Sequence, residues 1–315
     1  MKPDRNYLLL ILRGCAMGAA DVVPGVSGGT IAFITGIYEE LIDSIKSIDL
    51  QALKLLARFR WKEFWQKING NFLLAVVAGI GTSIFSLAKL MTWLLENHPI
   101  YIWSFFFGLI IASSILVAKE IKTWNLSTVA ALLAGAAVAW WITVMTPAET
   151  PDAWWFIILS GAIAICAMIL PGISGAFLLL LMGKYSYILG AVSHLQVGTL
   201  LLFAVGAVAG IISFSHLLSW LLKHHHRLTV ATLTGFMLGS LNKVWPWKQT
   251  ILTYIDSHGA EKPLVEANIS PACFAELNHT DPLLWQAVLL CLAGLALIIG
   301  IETIGRKMNA SRKQA

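Results

Sequence analysis

Residues 14–38 read GCAMGAADVVPGVSGGTIAFITGIY, and residues 161–185 read GAIAICAMILPGISGAFLLLLMGKY. At an offset of 147, Gly14, Ala20, Pro24, Gly25, Ser27, Gly28, Gly36 and Tyr38 return as Gly161, Ala167, Pro171, Gly172, Ser174, Gly175, Gly183 and Tyr185. In each copy an apolar run of about 17 residues meets Pro-Gly-x-Ser-Gly, and a second apolar run begins. Proline ends a helix and glycine permits a tight turn, so the motif predicts a break between two helical arms. At about 1.5 Å per residue the first arm reaches only about 25 Å, short of a bilayer's hydrocarbon core of about 30 Å. Residues 7–45 and 154–195 therefore read as re-entrant hairpins rather than as pairs of spans.

Around these hairpins, 57% of the 315 residues are hydrophobic, 12% are charged, and the mean hydropathy is +0.75. That balance excludes an ordinary soluble domain. Six further stretches are long enough, or nearly so, to span: 71–95, 99–118, 127–146, 198–222, 228–244 and 284–304. The expected fold is an all-α polytopic membrane protein. The basic and apolar N-terminal stretch runs straight into the hairpin motif and reads as mature structure rather than a cleaved signal. Cys15, Cys166 and Cys291 lie in apolar segments and Cys273 in a polar loop, which is neither a disulfide framework nor a metal site.

The net charge of +5 is explained by topology, not by nucleic acid, because the basic residues fall in short connections. Lys2 and Arg5 precede the first hairpin, and Lys46, Lys54, Arg58, Arg60, Lys62 and Lys67 follow it, so both flanks read as cytoplasmic. Beyond them the sides alternate. Lys119, Lys122 and KHHHR (223–227) are placed inside, as is the tail with Arg306, Lys307, Arg312 and Lys313. Loop 96–99, the loop with Glu149 and Asp152, and the long loop 245–283 are placed outside, with tryptophans such as Trp93, Trp140, Trp154 and Trp245 forming an interfacial belt. Both termini are expected in the cytoplasm of a bacterial plasma membrane, and segment 46–70 with Trp61 and Trp65 is expected on the inner leaflet.

After the hairpins the repeat continues at an offset of 127: Gly79, Ser86, Trp93, Leu94, Leu95 and Gly108 return as Gly206, Ser213, Trp220, Leu221, Leu222 and Gly235. LLAG at 132–135 against CLAG at 291–294 matches too weakly to stand alone. Each repeat, 1–150 and 151–315, is a hairpin plus three spans, and the odd number of crossings inverts the second. Inverted repeats with broken helices at the midplane are a transporter pattern.

In each motif the helix after the break starts with amides that lack an intrahelical acceptor. Ser27 and Ser174 could simply cap them. Alternatively, the amides at Ser27, Gly28, Gly29 and Thr30, and at Ser174 and Gly175, hold an anion such as phosphate with help from the helix dipole. Two facing copies favour the second reading, with Tyr38 and Tyr185 closing the head-group set. Ionisable residues inside apolar segments are costly and invite functional roles. Arg13, Lys89 and Lys184 would offer cations along the route, and His216 aligns with Lys89. Asp21 aligns with Met168 and breaks the symmetry, so it reads as the coupling residue for a proton or sodium ion, or as a partner that locks Arg13. Glu39 is a second coupling candidate, though with Glu40 it also reads as a solvated helix-end carboxylate. The HHH run at 224–226 lacks a ligand cluster elsewhere, and no metal or other cofactor is expected.

The strings RGCAMGAADVVPGVSGGTIAFITGIYEEL (13–41), CAMILPGISGAFLLLLMGKY (166–185) and GFMLGSLNKVWPW (235–247) resemble the bacterial polyprenyl-phosphate transporter family. The resemblance implies a flippase, not an enzyme, that returns undecaprenyl phosphate, the carrier lipid of cell-envelope glycan synthesis, from the outer to the inner leaflet. It also implies that the head group rides inside while the prenyl tail stays in lipid. Ser186 departs from the family pattern, where an acidic residue is expected. Two other readings remain open at this point. An intramembrane undecaprenyl-pyrophosphate phosphatase would need an acid or base and an arginine beside the serines, where this chain has Gly28 and Gly175. A transporter of a soluble anion would need a sealed wall.

Overall fold

The computed structural model of the chain describes residues 6–21, 27–148, 150–255 and 261–314. Lys2, Arg5, Pro24, Gly25, Val26 and Glu149 lie outside the described residues, as do the side chains of Lys89, Arg306, Lys307, Arg312 and Lys313. The fold is mostly helical, and its first motif region forms α1 (Tyr7–Asp21), α2 (Gly28–Ile34) and α3 (Tyr38–Lys46). An amphipathic pair follows, α4 (Leu50–Ala57) and α5 (Trp61–Lys67), and then α6 (Gly70–Asn97), α7 (Pro99–Ala118) and α8 (Leu126–Val144). The second motif region forms α9 (Trp154–Ile169), α10 (Gly175–Leu181) and α11 (Tyr185–Ser193), before α12 (Val197–His224) and α13 (His226–Ser240). The chain closes with β1 (Lys248–Ile255), β2 (Glu261–Asn268), α14 (Pro271–Asn278) and α15 (Leu284–Gln314).

Helices occupy all six stretches read as spans. Among the described residues, α7, α8 and α12 are long and apolar enough to cross a membrane unaided, and the number reaches five if the bent pairs α5–α6 and α10–α11 each count as one span. Helix α13 stops at Ser240, four residues short of the expected end, because the chain turns where Asn242 donates to Thr143 Oγ1 at 2.7 Å. The second arm of each motif region is also broken, which the sequence reading did not foresee. Gly36 and Gly183, equivalent at the 147 offset, hold φ values of +70° and +62° that a side chain rarely tolerates. They split α2 from α3 and α10 from α11, the latter pair bending by 111°.

The expectation of an all-α chain needs one correction. Within 245–283 the strands β1 and β2 pair antiparallel, from Lys248 opposite Asn268 to Ile255 opposite Glu261, with irregular register between Thr250 and Thr253. Trp245 and Trp247 anchor this ribbon by donating to the carbonyls of Ile269 (2.9 Å) and Pro282 (2.8 Å). Polar loop composition hid the strands, since a solvent-side ribbon needs only weak alternation. At the other end of the bundle, α4 and α5 leave Leu50, Leu53, Phe59, Trp61 and Trp65 exposed beside basic residues, as an interfacial helix pair would.

The core runs along α7, whose buried face includes Trp103, Phe106, Leu109, Ile110 and Val117. Close backbone approach at glycines organises the packing, and the approaches come in matching sets. A Cβ built at Gly14 would overlap the Val76 carbonyl, and one at Gly161 the Phe203 carbonyl; Gly79 likewise meets Ile11, and Gly206 meets Ile158. These contacts run α1 parallel to α6 and α9 parallel to α12. Gly235 meets Leu132 while Gly108 meets Cys291, and Gly135 meets Thr232 while Gly294 meets Phe105. The weak LLAG and CLAG match thus marks equivalent contacts, α8 on α13 and α7 on α15, each joining one half of the chain to the other.

Candidate functional site

The two broken motifs meet each other. Ser27, extended at φ −126°, caps α2 by accepting from the Gly29 amide at 3.0 Å, and its hydroxyl donates to the Met168 carbonyl at 2.8 Å. Thr30 Oγ1 accepts from the Gly172 amide at 3.0 Å, and Tyr38 donates to the Ile169 carbonyl at 3.1 Å. Gly29 lies against the same backbone, since a Cβ there would overlap the Ile169 carbonyl. Ser27, Thr30, Tyr38 and Ser174 are all buried. In the hydrogen bonds of Ser27 with Met168, Thr30 with Gly172 and Tyr38 with Ile169, a side chain of the first motif reads the backbone of the second.

The two helix starts at this junction differ. At α2 the Gly28 amide donates to Asp21 Oδ1 at 2.7 Å, the Gly29 amide to Ser27 Oγ, and the Thr30 amide to the Ser27 carbonyl at 2.9 Å. The chain's own carboxylate therefore occupies the place where an anion would sit. At α10, Ser174 Oγ accepts only from the Phe177 amide, at 3.5 Å, and among the described residues no protein group accepts from the amides of Gly175 and Ala176. Met168 takes the place of Asp21 here: a Cβ on Gly28 would lie 2.5 Å from Asp21 Oδ2, and one on Gly175 2.7 Å from Met168 Cγ. One break is thus filled by a carboxylate, and its counterpart is faced by an apolar thioether.

Other candidates are placed elsewhere. Arg13 is half-buried on α1, and among the described residues it makes no ion pair or hydrogen bond, so the lock on Asp21 is not formed. The two lie eight positions apart on α1, a separation of about 12 Å along the helix axis. Lys184, only 2% exposed, pairs with Asp152 and donates to the Thr150 carbonyl at 2.8 Å, flanked by the rings of Phe156 and Tyr187. Its ammonium pins the turn at Gly183 to the preceding loop instead of facing the junction. Tyr185 is half-buried, and His216 is exposed with Nδ1 2.8 Å from the Ile212 carbonyl. Glu39 is exposed in the first turn of α3, 3.4 Å from His226, where a carboxylate suits the helix dipole.

Two polar clusters escaped the sequence reading. Asp43 on α3 accepts from Ser219 (2.7 Å) and Lys223 (2.9 Å) on α12, and Lys46 donates to Ser219 at 3.2 Å. At the equivalent of Asp43 in the second half stands Gly190, around which a Cβ would meet nothing within 4 Å. Leu218 and Leu222 of α12 are buried, whereas their counterparts Met91 and Leu95 of α6 are half-buried. The bundle is therefore closed at the α3–α12 end and looser at the ribbon end. Asp43→Ala should lower stability by about 1 kcal/mol, as the carboxylate is half exposed. It should also separate α3 from α12 in spin-label distance measurements; an unchanged distance would show that the cluster holds nothing shut.

The second cluster lies under the ribbon, where Lys243 and Lys248 both approach Glu266 Oε2, at 3.2 and 3.5 Å. Burial pushes the Lys248 ammonium down to about 8 against the opposing pull of Glu266. Burial alone would raise the Glu266 carboxyl, but the two ammonium groups outweigh it and hold it below the usual range. Lys243 stands inside the GFMLGSLNKVWPW string, which was the available signal.

Residues 17–262 match the family described as undecaprenyl phosphate translocase-like. A polyprenyl-phosphate transporter of Vibrio cholerae is 50% identical over 303 residues, covering 96% of this chain and 98% of that protein. A polyprenyl-phosphate transporter of Staphylococcus aureus is 37% identical over 257 residues, covering 75% and 85%. No solved structure matches the chain. With the family match spanning most of its length, and both broken motifs falling within it, the chain belongs to the undecaprenyl phosphate translocase-like family.

Proposed function

We propose that the chain is a flippase that carries undecaprenyl phosphate from the outer to the inner leaflet of a bacterial plasma membrane by alternating access. The two halves act as inverted repeats, a reading supported by the matched glycine contacts at Gly14 and Gly161, Gly79 and Gly206, and Gly108 and Gly235. The broken motifs act as re-entrant hairpins that meet inside the bilayer, and the basic α4–α5 end faces the cytoplasm. The relatives' names supply the cargo class, a polyprenyl phosphate.

The observation that carries the mechanism is the unequal pair of helix starts. The amides of Gly175 and Ala176 have no acceptor in the described protein, and they would take phosphate oxygens. Asp21 fills the matching place at Gly28 and is the group that couples transport to a proton or sodium ion. Arg13, half-buried and unpaired among the described residues, adds attraction for the head group. The prenyl tail stays in lipid through a lateral opening, so only the phosphate needs a polar path.

The test uses proteoliposomes carrying fluorescent undecaprenyl phosphate in both leaflets and an impermeant reductant outside. Wild-type protein should hasten loss of the protected pool, and the Ser27→Ala/Ser174→Ala variant should slow that loss by about tenfold or more, since it removes both caps and a buried cross-hairpin hydrogen bond. Rates equal to those of protein-free vesicles would sink the flippase reading, and release of inorganic phosphate from the pyrophosphate lipid would replace it with a phosphatase.

A further inference from the structure

The Lys243, Lys248 and Glu266 cluster is not used by the hairpin mechanism, yet its composition is unusual. Lys243 is 16% exposed, Lys248 7% and Glu266 21%, and both ammonium groups approach the same carboxylate oxygen. One carboxylate against two cations leaves a surplus positive charge in a largely buried place, where an unbalanced ion is costly. Aromatic faces hold the cations in position: Lys248 Nζ lies 3.9 Å from the Trp103 ring centre, and Lys243 Nζ lies 4.7 Å from that of Phe177. Phe177 belongs to the first turn of α10, and its amide is the one capped by Ser174. Lys243 therefore lies against the side chain of a residue two positions from Gly175 and next to Ala176 in the chain.

A purely structural cluster would need only one lysine to pin Glu266. A phosphomonoester carries about −1.5 to −2 at neutral pH, and that matches two ammonium groups better than a single carboxylate does. Glu266 is carried by a two-stranded ribbon, an element of marginal stability by itself, whose register is irregular at Thr250–Thr253.

We propose that Lys243 and Lys248 form an anion-receiving site for a phosphomonoester at the ribbon end of the bundle, with Glu266 standing in for the phosphate when the site is empty. The site rests on the reading of the cargo as a phosphate-bearing lipid, and it makes the ribbon end the point of uptake. The phosphate would displace Glu266 from the two lysines, beside the rings of Trp103 and Phe177.

Binding separates this role from a structural one. The full-length protein in nanodiscs is titrated with inorganic phosphate, a short-chain prenyl monophosphate and the matching prenyl alcohol. Lys243→Gln and Lys248→Gln should each raise the Kd of the prenyl monophosphate about tenfold or more, Lys248→Arg should keep most of the affinity, and Glu266→Gln should lower the Kd about tenfold by removing the competitor. Inorganic phosphate binding as tightly as the prenyl monophosphate would assign the site to free phosphate; a clear preference for the prenyl compound assigns it to the lipid head group. A Glu266→Gln variant that melts earlier without ligand and binds no more tightly would overturn the proposal, as would lysine variants with unchanged Kd. These binding shifts in the variants, with wild-type protein that moves no lipid in vesicles, would leave the site standing and fell the flippase reading instead.

Discussion

Replacing Gly29 with alanine should abolish lipid movement while leaving the protein inserted. Gly29 is the point where the first motif's helix touches the backbone of the second, and a methyl group there would overlap the Ile169 carbonyl. The obstacle is backbone, already held by the hydrogen bond from Tyr38, so it cannot swing aside as a flexible side chain would. The motifs must part by several tenths of an ångström, which strains the hydrogen bonds from Ser27 to Met168 and from Gly172 to Thr30. Overpacking of this kind costs about 1–3 kcal/mol, and loss of a buried hydrogen bond adds about 1 kcal/mol. A melting temperature several degrees lower, with translocation reduced more than about tenfold, is the expected outcome. Gly36→Ala serves as the contrast, because nothing lies within 4 Å of a Cβ there and the penalty is confined to its positive φ. Equal effects from the two substitutions would argue against the junction as the working part.

The second large effect is expected at Asp21. Its carboxylate accepts from the Gly28 amide at 2.7 Å, a charge-assisted bond at a half-buried position. Asp21→Ala orphans that amide and should cost about 1.5–3 kcal/mol. Asp21→Asn keeps an acceptor of the same shape, so most of the stability should survive. The two variants therefore separate capping from coupling. If Asp21 serves as the coupling group, Asp21→Asn should fold, bind prenyl phosphate and move lipid at a rate that no longer responds to an imposed proton or sodium gradient. A variant that keeps the full gradient response would leave Asp21 with a capping role alone.

Much of the helical plan was legible because it depends on apolar length and on breakers. Each stretch read as a span carries a helix, the second Pro-Gly-x-Ser-Gly motif interrupts one, and Ser27 of the first is extended just before α2. Gly36 and Gly183 stood in the repeat, yet their role in splitting the second arms was missed, because a glycine in an apolar run is compatible with a continuing helix until its φ is known. The serines were read as caps or anion ligands; the structure has both acting as caps, and Ser27 also bridging to the other motif. Such a bridge runs from side chain to backbone across 141 positions and leaves no periodic trace. Lys184 was weighed as a route cation because burial of a lysine is expensive; its partner Asp152 sits in a loop that sequence spacing alone could not bring near. The ribbon over 248–268 and the Lys243 cluster were illegible for the same reason: a charged loop residue acquires meaning only when the fold buries it.

The crossing of contacts between the halves bears on how the protein is made. Helices α7 and α8 find their principal partners in α15 and α13, which belong to the other half of the chain. The bare glycine faces at Gly108 and Gly135 lie against the backbone of Cys291 and Thr232. During synthesis the first half must therefore wait in the membrane with these faces turned to lipid or to a chaperone. Neither half carries a finished core, so completion of the bundle is a late event that depends on the last helix reaching the bilayer.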